Sequence, residues 1–225
     1  MFHNSLNIRR AVLGQVAATG VWLGIVCFGF WLLIDYELRA GHIGHVPAVW
    51  PDQTTLEQSS RSFELVMFIH PRCPCTAASL EELSKLLPRL GAYGKSIHRG
   101  GVRVHVVVLK PELTDASFTD TLLVAQALEM PGVQLVFDHG GIEAERFGAQ
   151  TSGHVVLYSP DGRLLFAGGI TGTRGHAGDN EGTELVVRAF HQKIIASQEA
   201  ARAKVFGCAL AEPLCGEGNS NNTGM

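Results

Sequence analysis

Charge is scarce in this chain, and no part of it is strongly basic. Only 17% of the 225 residues are Asp, Glu, Lys or Arg, the net charge is −3, and the longest basic run is Arg9-Arg10. A nucleic-acid surface needs a basic stripe, so that partner class is excluded. The 26 glycines follow no fixed period, which excludes collagen-like and solenoid architectures. The glycine-rich stretch 168–182 has no Gly-Lys-Ser/Thr ending, so it is not a phosphate loop.

What the chain does have is a long run without charge. Residues 11–34 hold none. As a helix they span about 36 Å, enough for a hydrocarbon core of roughly 30 Å. The run exceeds the apolar region of about 7–15 residues usual in a cleaved signal peptide. Its apolar surface wraps all the way round, unlike the one-sided stripe of a helix on a core. Arg9 and Arg10 precede it, while Asp35, Glu37 and Arg39 follow. The positive-inside rule then puts residues 1–10 in the cytoplasm and the rest outside. Cleavage after Ala40 is the alternative.

This topology governs the five cysteines. Cys27 falls inside the span as a small apolar residue. Cys73, Cys75, Cys208 and Cys215 fall on the exported side, where disulfides persist. A helix over 183–204 would be about 33 Å long and would carry Cys208 away from Cys73. A local Cys208–Cys215 bridge is therefore expected.

Residues 35–60, with their prolines and polar clusters, read as a linker. The domain expected over 61–206 begins with a strand at 64–70 and a helix at 76–90. Leu80, Leu83, Leu86, Leu87 and Leu90 stripe that helix. A strand over 102–109 is valine-rich and reads as buried on both faces. A helix over 115–129, a strand over 133–137 and a helical turn over 142–147 follow. Residues 154–158 and 163–167 flank Ser159-Pro160-Asp161-Gly162 as a hairpin. A final helix covers 183–204, and 207–225 read as a flexible tail. Strands joined through helices run parallel with right-handed crossovers, and the hairpin adds antiparallel strands. The result is an α/β mixed sheet flanked by helices and preceded by one transmembrane helix.

Cys73-Pro74-Cys75 sits where the first strand gives way to the first domain helix. A thiol at a helix start meets unpaired N–H groups and the positive dipole end, which favour its thiolate. Arg72 and His70 are expected to add positive charge beside Cys73. Cys73 is then the attacking sulfur and Cys75 the sulfur that resolves the mixed disulfide. Two buried structural cysteines are the alternative.

This order, with Phe68-Ile69-His70-Pro71-Arg72-Cys73 at the strand-to-helix turn, resembles the thioredoxin-like superfamily over about residues 60–205. Membrane-anchored proteins of the TlpA and RedB types are the nearest resemblance. Phe137-Asp138, Arg146-Phe147-Gly148 and Val155 through Gly162 look like that fold's second half. Gly169 through His176 adds to the RedB likeness. The resemblance implies an exported thiol–disulfide oxidoreductase, held in the inner membrane by one helix and acting on thiols and disulfides of envelope proteins. It implies no cofactor. The chain departs from the family at two points. One residue, not two, separates the cysteines, so Thr76 occupies the place of the second. Gly153 stands where the family has a cis-proline facing the thiols. Gly153, His154 and, on the loop 168–182, Arg174 and His176 are the expected substrate contacts. A Sco-like reading makes Cys73, Cys75 and His154 a copper site, and a thioredoxin-fold interaction module without catalysis is the third reading. The peroxiredoxin pattern fails, because His70 and Arg72 stand where a threonine is needed.

Overall fold

The computed structural model describes residues 2–91, 101–112, 114–191 and 199–210, with side chains described from residue 12. It divides into two units, residues 1–39 and 40–225. The first is a single helix, α1 (Phe2–Leu38). Its stretch Val12–Leu38 has 27 residues and contains an 18-residue window of mean hydropathy 2.0, long and apolar enough to cross a membrane by length and composition.

In the second unit, β1 (Phe63–Ile69) is one of the two central strands and is buried throughout. It pairs parallel with β2 (Val102–Lys110), which pairs parallel with β3 (Val133–His139). On its other side it meets β4 (His154–Tyr158) antiparallel, and β4 continues antiparallel into β5 (Leu164–Gly169). A short strand, β6 (Ala201–Arg202), runs parallel to β5 at the edge. The six-stranded order is β3-β2-β1-β4-β5-β6.

Strand alternation sends Leu65, Met67 and Ile69 to one face and Val66 and Phe68 to the other. The first face is covered by α2 (Cys75–Arg89), α3 (Leu122–Glu129) and α5 (Glu181–His191). The leucine stripe of α2 is fully buried there, as its spacing predicted. The second face is covered by α4 (Ile142–Arg146), with Phe147 beyond it, and by Val46, Trp50 and Leu56.

Those last three residues correct the linker expectation. Residues 41–50 pack on the sheet through backbone bonds, Trp50 N–H to Gly162 O at 2.8 Å and Gly44 N–H to Gly148 O at 2.9 Å. The Tyr158 hydroxyl donates to Pro47 O at 2.9 Å. The helix expected over 115–129 is two pieces, a 3-10 turn at Ala116–Phe118 and then α3. Thr121 separates them, its hydroxyl accepting from Val124 N–H as an N-cap.

The C-terminal part differs most from expectation. Helix is described only to His191, and from 201 the chain is an edge strand. Ala203 N–H donates to Ala167 O at 3.2 Å and Gly169 N–H to Lys204 O at 3.2 Å. A Cβ on Gly168 would meet Ala203 O at 2.6 Å, and one on Gly169 would meet Lys204 O at 2.8 Å. Two bare glycines thus give the returning strand its berth. Residues 207–210, expected to be flexible, are docked. Leu210 is buried and its N–H bonds Gln150 O at 2.9 Å. Cys215 and the rest of the tail lie outside the described residues.

Candidate redox site

The end of β1 runs into a tight turn closed by Cys73 N–H to His70 O at 3.2 Å. Pro74 then takes the helix N-cap with φ −58°. Its fixed ring suits a helix entry, and no side chain caps the helix there. The first N–H groups of α2 are left to the sulfur before them. Thr76 is buried, and its hydroxyl donates to His70 O at 3.1 Å. Ser152 fixes the same corner from β4's approach. Its Oγ accepts from His70 N–H at 2.9 Å and lies 2.9 Å from Thr76 Oγ1. Nothing in the sequence singled out Ser152.

Gly153 lies against Ser79 of α2. It has φ +88°, and a Cβ there would lie 2.7 Å from Ser79 Oγ. Glycine answers both the handed backbone and the close approach. No cis peptide bond occurs among the described residues.

The sulfur chemistry contains a third member. Cys73 Sγ and Cys208 Sγ lie 2.6 Å apart. The Sγ atoms of Cys73, Cys75 and Cys208 all fall within 4.8 Å of one another. Cys208, expected to be carried away from Cys73, lies against it, while its expected partner Cys215 is outside the described residues. The strand 201–202 and the extended residues after it bring Cys208 back to the thiol end. Two contacts hold it: Ser152 N–H donates to Cys208 O at 2.8 Å, and the Arg174 guanidinium donates to Gly207 O. A Cβ on Gly207 would lie 2.0 Å from Ser152 O, so only glycine passes there.

The three thiols are not equivalent. Burial pushes Cys73 up. The hydrogen bond from the Cys208 thiol, with the N–H groups of Cys208, Cys75 and Thr76, outweighs it and leaves Cys73 below the ordinary thiol value. Burial and the charge of Cys73 hold Cys75 above that value, against the pull of Arg174. Burial, then the hydrogen bond and charge of Cys73, push Cys208 up to about 12. Cys73 is therefore the thiolate of the set. It is also the covered one at 2% exposure, while Cys75 and Cys208 are half-buried.

The expected electrostatic helpers sit differently. The Arg72 guanidinium stacks over the Phe118 ring at 4.7 Å and donates to the carbonyls of Phe118 and Ser117. Its charge is engaged there rather than at Cys73. His70 works through its backbone and through Nδ1, which accepts from Arg72 N–H at 3.1 Å. Its ring packs edge-on against Phe118. Arg174 does reach the site and acts on both Cys75 and Cys208. His176 is exposed beside it, with Nδ1 2.8 Å from Arg174 O.

His154 is a correction. It pairs with Phe68 across the strands and so shares that residue's face of the sheet, opposite α2. It is fully buried and is not among the clustered thiols of the described residues. Burial, with a smaller contribution from Arg202, lowers its pKa to about 4. The three sulfurs are the one donor set for a soft ion among the described residues. Two sulfurs on one ion, each at about 2.3 Å, stand about 3.8 Å apart. All three sulfurs lie within 4.8 Å of one another, a spacing that matches this requirement.

Ala209 and Leu210, just past Cys208, line a separate cleft of about 690 Å³ with His42, His45 and Glu145. None of the expected site residues lines it.

No family model matches the chain, and no curated protein matches it. Solved structures do. An uncharacterized conserved protein from Geobacillus kaustophilus is 16% identical, over 78% of this chain and 94% of its own, with TM-score 0.52. A hypothetical protein from Sinorhizobium meliloti is 21% identical, over 78% and 97%, with TM-score 0.50. A putative thiol:disulfide interchange protein DsbE from Chlorobium tepidum is 17% identical, over 68% and 99%, with TM-score 0.40. The first two share the fold of the second unit. With parallel strands joined through helices, an antiparallel hairpin and cysteines at the first strand-to-helix turn, the second unit is a thioredoxin-like α/β fold.

Proposed function

We propose that this chain is a membrane-anchored thiol–disulfide oxidoreductase acting outside the cytoplasm on thiols and disulfides of envelope proteins. The observation that carries the reading is Cys73. Its thiolate is favoured at the mouth of α2, and its sulfur lies 2.6 Å from a second thiol. Exchange needs a sulfur that is stable as thiolate, whether it attacks a disulfide or leaves one. Arg174 and His176, on the loop beside the sulfurs, are the substrate-facing polar groups of this reading. Arg72 and His70 shape the turn that presents Cys73. The apolar helix α1 supplies the anchor, with its N-terminus in the cytoplasm.

The test uses the full chain in detergent micelles and a fluorescent dithiol peptide in glutathione buffer. Wild type speeds peptide disulfide exchange, and Cys73→Ser returns it to the uncatalysed rate. A Cys73→Ser protein as active as wild type would falsify the reading. The topology is tested separately with alkaline phosphatase fused after residue 225. Phosphatase activity is the expected result, and an inactive fusion with a cytosolic domain overturns it.

A further inference from the structure

We infer that Cys73 and Cys208 are the redox pair of this site, and that Cys208 is the sulfur through which their disulfide passes to a substrate dithiol. This rests on the oxidoreductase reading and says which sulfurs carry it. Three observations lead there. The first is contact: Cys73 Sγ lies 2.6 Å from Cys208 Sγ. The second is the way the fold is built around that contact. Gly168 and Gly169 leave room for the returning strand, Gly207 passes against Ser152 O where no side chain fits, and Ser152 and Arg174 bond the backbone on either side. The third is access. Cys73 is covered, whereas Cys208 is half-buried.

In a disulfide between them, the sulfur open to attack is Cys208. A substrate thiolate attacks Cys208 Sγ, the Cys208–Cys73 bond breaks, and Cys73 departs with the electron pair as a thiolate. The N–H groups of Cys75 and Thr76 at the start of α2 receive that charge. The lower the pKa of the departing thiol, the faster it leaves. The substrate's second thiol loses its proton to solvent and attacks the mixed disulfide at the substrate's own sulfur. That closes the substrate disulfide and expels Cys208 as a thiolate, which takes a proton. The substrate loses two electrons and two protons, and the protein disulfide becomes two thiols. A disulfide of the glutathione class re-oxidises the pair. Cys75, within 4.8 Å of both sulfurs, is left outside the cycle.

Trypsin cleavage separates residues 73–85 from 205–225, so the pairings are distinguishable by mass. The full chain in detergent is oxidised with oxidised glutathione, alkylated and digested. The expected product is a cross-link between the two peptides, retained in a Cys75→Ser, Cys215→Ser double variant. Oxidised double variant is then mixed with reduced glutathione and quenched with N-ethylmaleimide. Glutathione is expected on residues 205–225 and maleimide on residues 73–85. An internal Cys73–Cys75 disulfide in wild type with Cys208 alkylated, or glutathione carried on Cys73, overturns the inference and leaves the oxidoreductase reading standing. If Cys73 enters no disulfide under any buffer, both fall.

Discussion

Gly207→Ala tests the strap that delivers Cys208. The new Cβ would lie 2.0 Å from Ser152 O and 3.1 Å from Ser152 C, both backbone atoms. Real Cβ atoms essentially never approach closer than 3.0 Å, so residues around 207 must retreat by at least 1.0 Å. Overpacking of this kind costs about 1–3 kcal/mol when it cannot be relieved. In the reduced protein the strap relieves it by lifting from Ser152. A Cys73–Cys208 disulfide prevents that, so the cost falls on the oxidised form. The disulfide is then destabilised relative to the dithiol by about 1–3 kcal/mol, which raises the reduction potential by about 20–65 mV. The assay is equilibrium with glutathione buffers, followed by gel-shift alkylation of the full chain in detergent. Gly172→Ala is the control, since its Cβ would make only ordinary contacts, at 3.8 Å or more. A Gly207→Ala potential equal to or below wild type refutes the reasoning.

His154 makes folding pH-dependent. Its folded pKa of about 4 lies below the ordinary 6.5, so the unfolded chain binds the proton first as pH falls. Stability is full above pH 6.5 and declines by about 3 kcal/mol on the way to pH 4. His154→Leu removes that part of the slope in urea unfolding, and parallel slopes for the two proteins would rule it out. Ser152→Ala leaves His70 N–H without its partner at the end of β1 and costs about 1–3 kcal/mol by thermal unfolding. A neutral result would mean that the corner does not depend on this hydroxyl. In the reduced protein, the pH midpoint for alkylation is lowest at Cys73, higher at Cys75 and highest at Cys208, read peptide by peptide. Equal midpoints would remove the electrostatic distinction among the thiols.

Much of the sheet was legible because its signals are local. The valine run of β2, the leucine stripe of α2 and the Ser159–Gly162 turn fix type and order within a few residues. The Cys73–Pro74 helix mouth was legible for the same reason. Four misses share another cause, which is that long-range packing decided them. Glu199-Ala200-Ala201-Arg202-Ala203-Lys204 has strong intrinsic helix propensity, yet 201–202 pairs with β5 beside two glycines. That hid Cys208. Val46, Trp50 and Leu56 follow no helical or strand period, so the apolar face they cover was invisible and the segment read as linker. Arg72 was correctly placed in the chain, but its guanidinium chose Phe118 over the neighbouring sulfur. His154 was placed at the right strand end, and its register with Phe68 turned it to the far face.

The central claim is that Cys73 is a working redox sulfur. It is tested most directly by titrating wild-type full chain in detergent against glutathione buffers and quantifying alkylatable Cys73 by mass spectrometry. The account predicts a reversible two-electron transition in which Cys73 and one other thiol are protected together. A Cys73 that stays alkylatable across the whole range, or is lost only irreversibly, contradicts it.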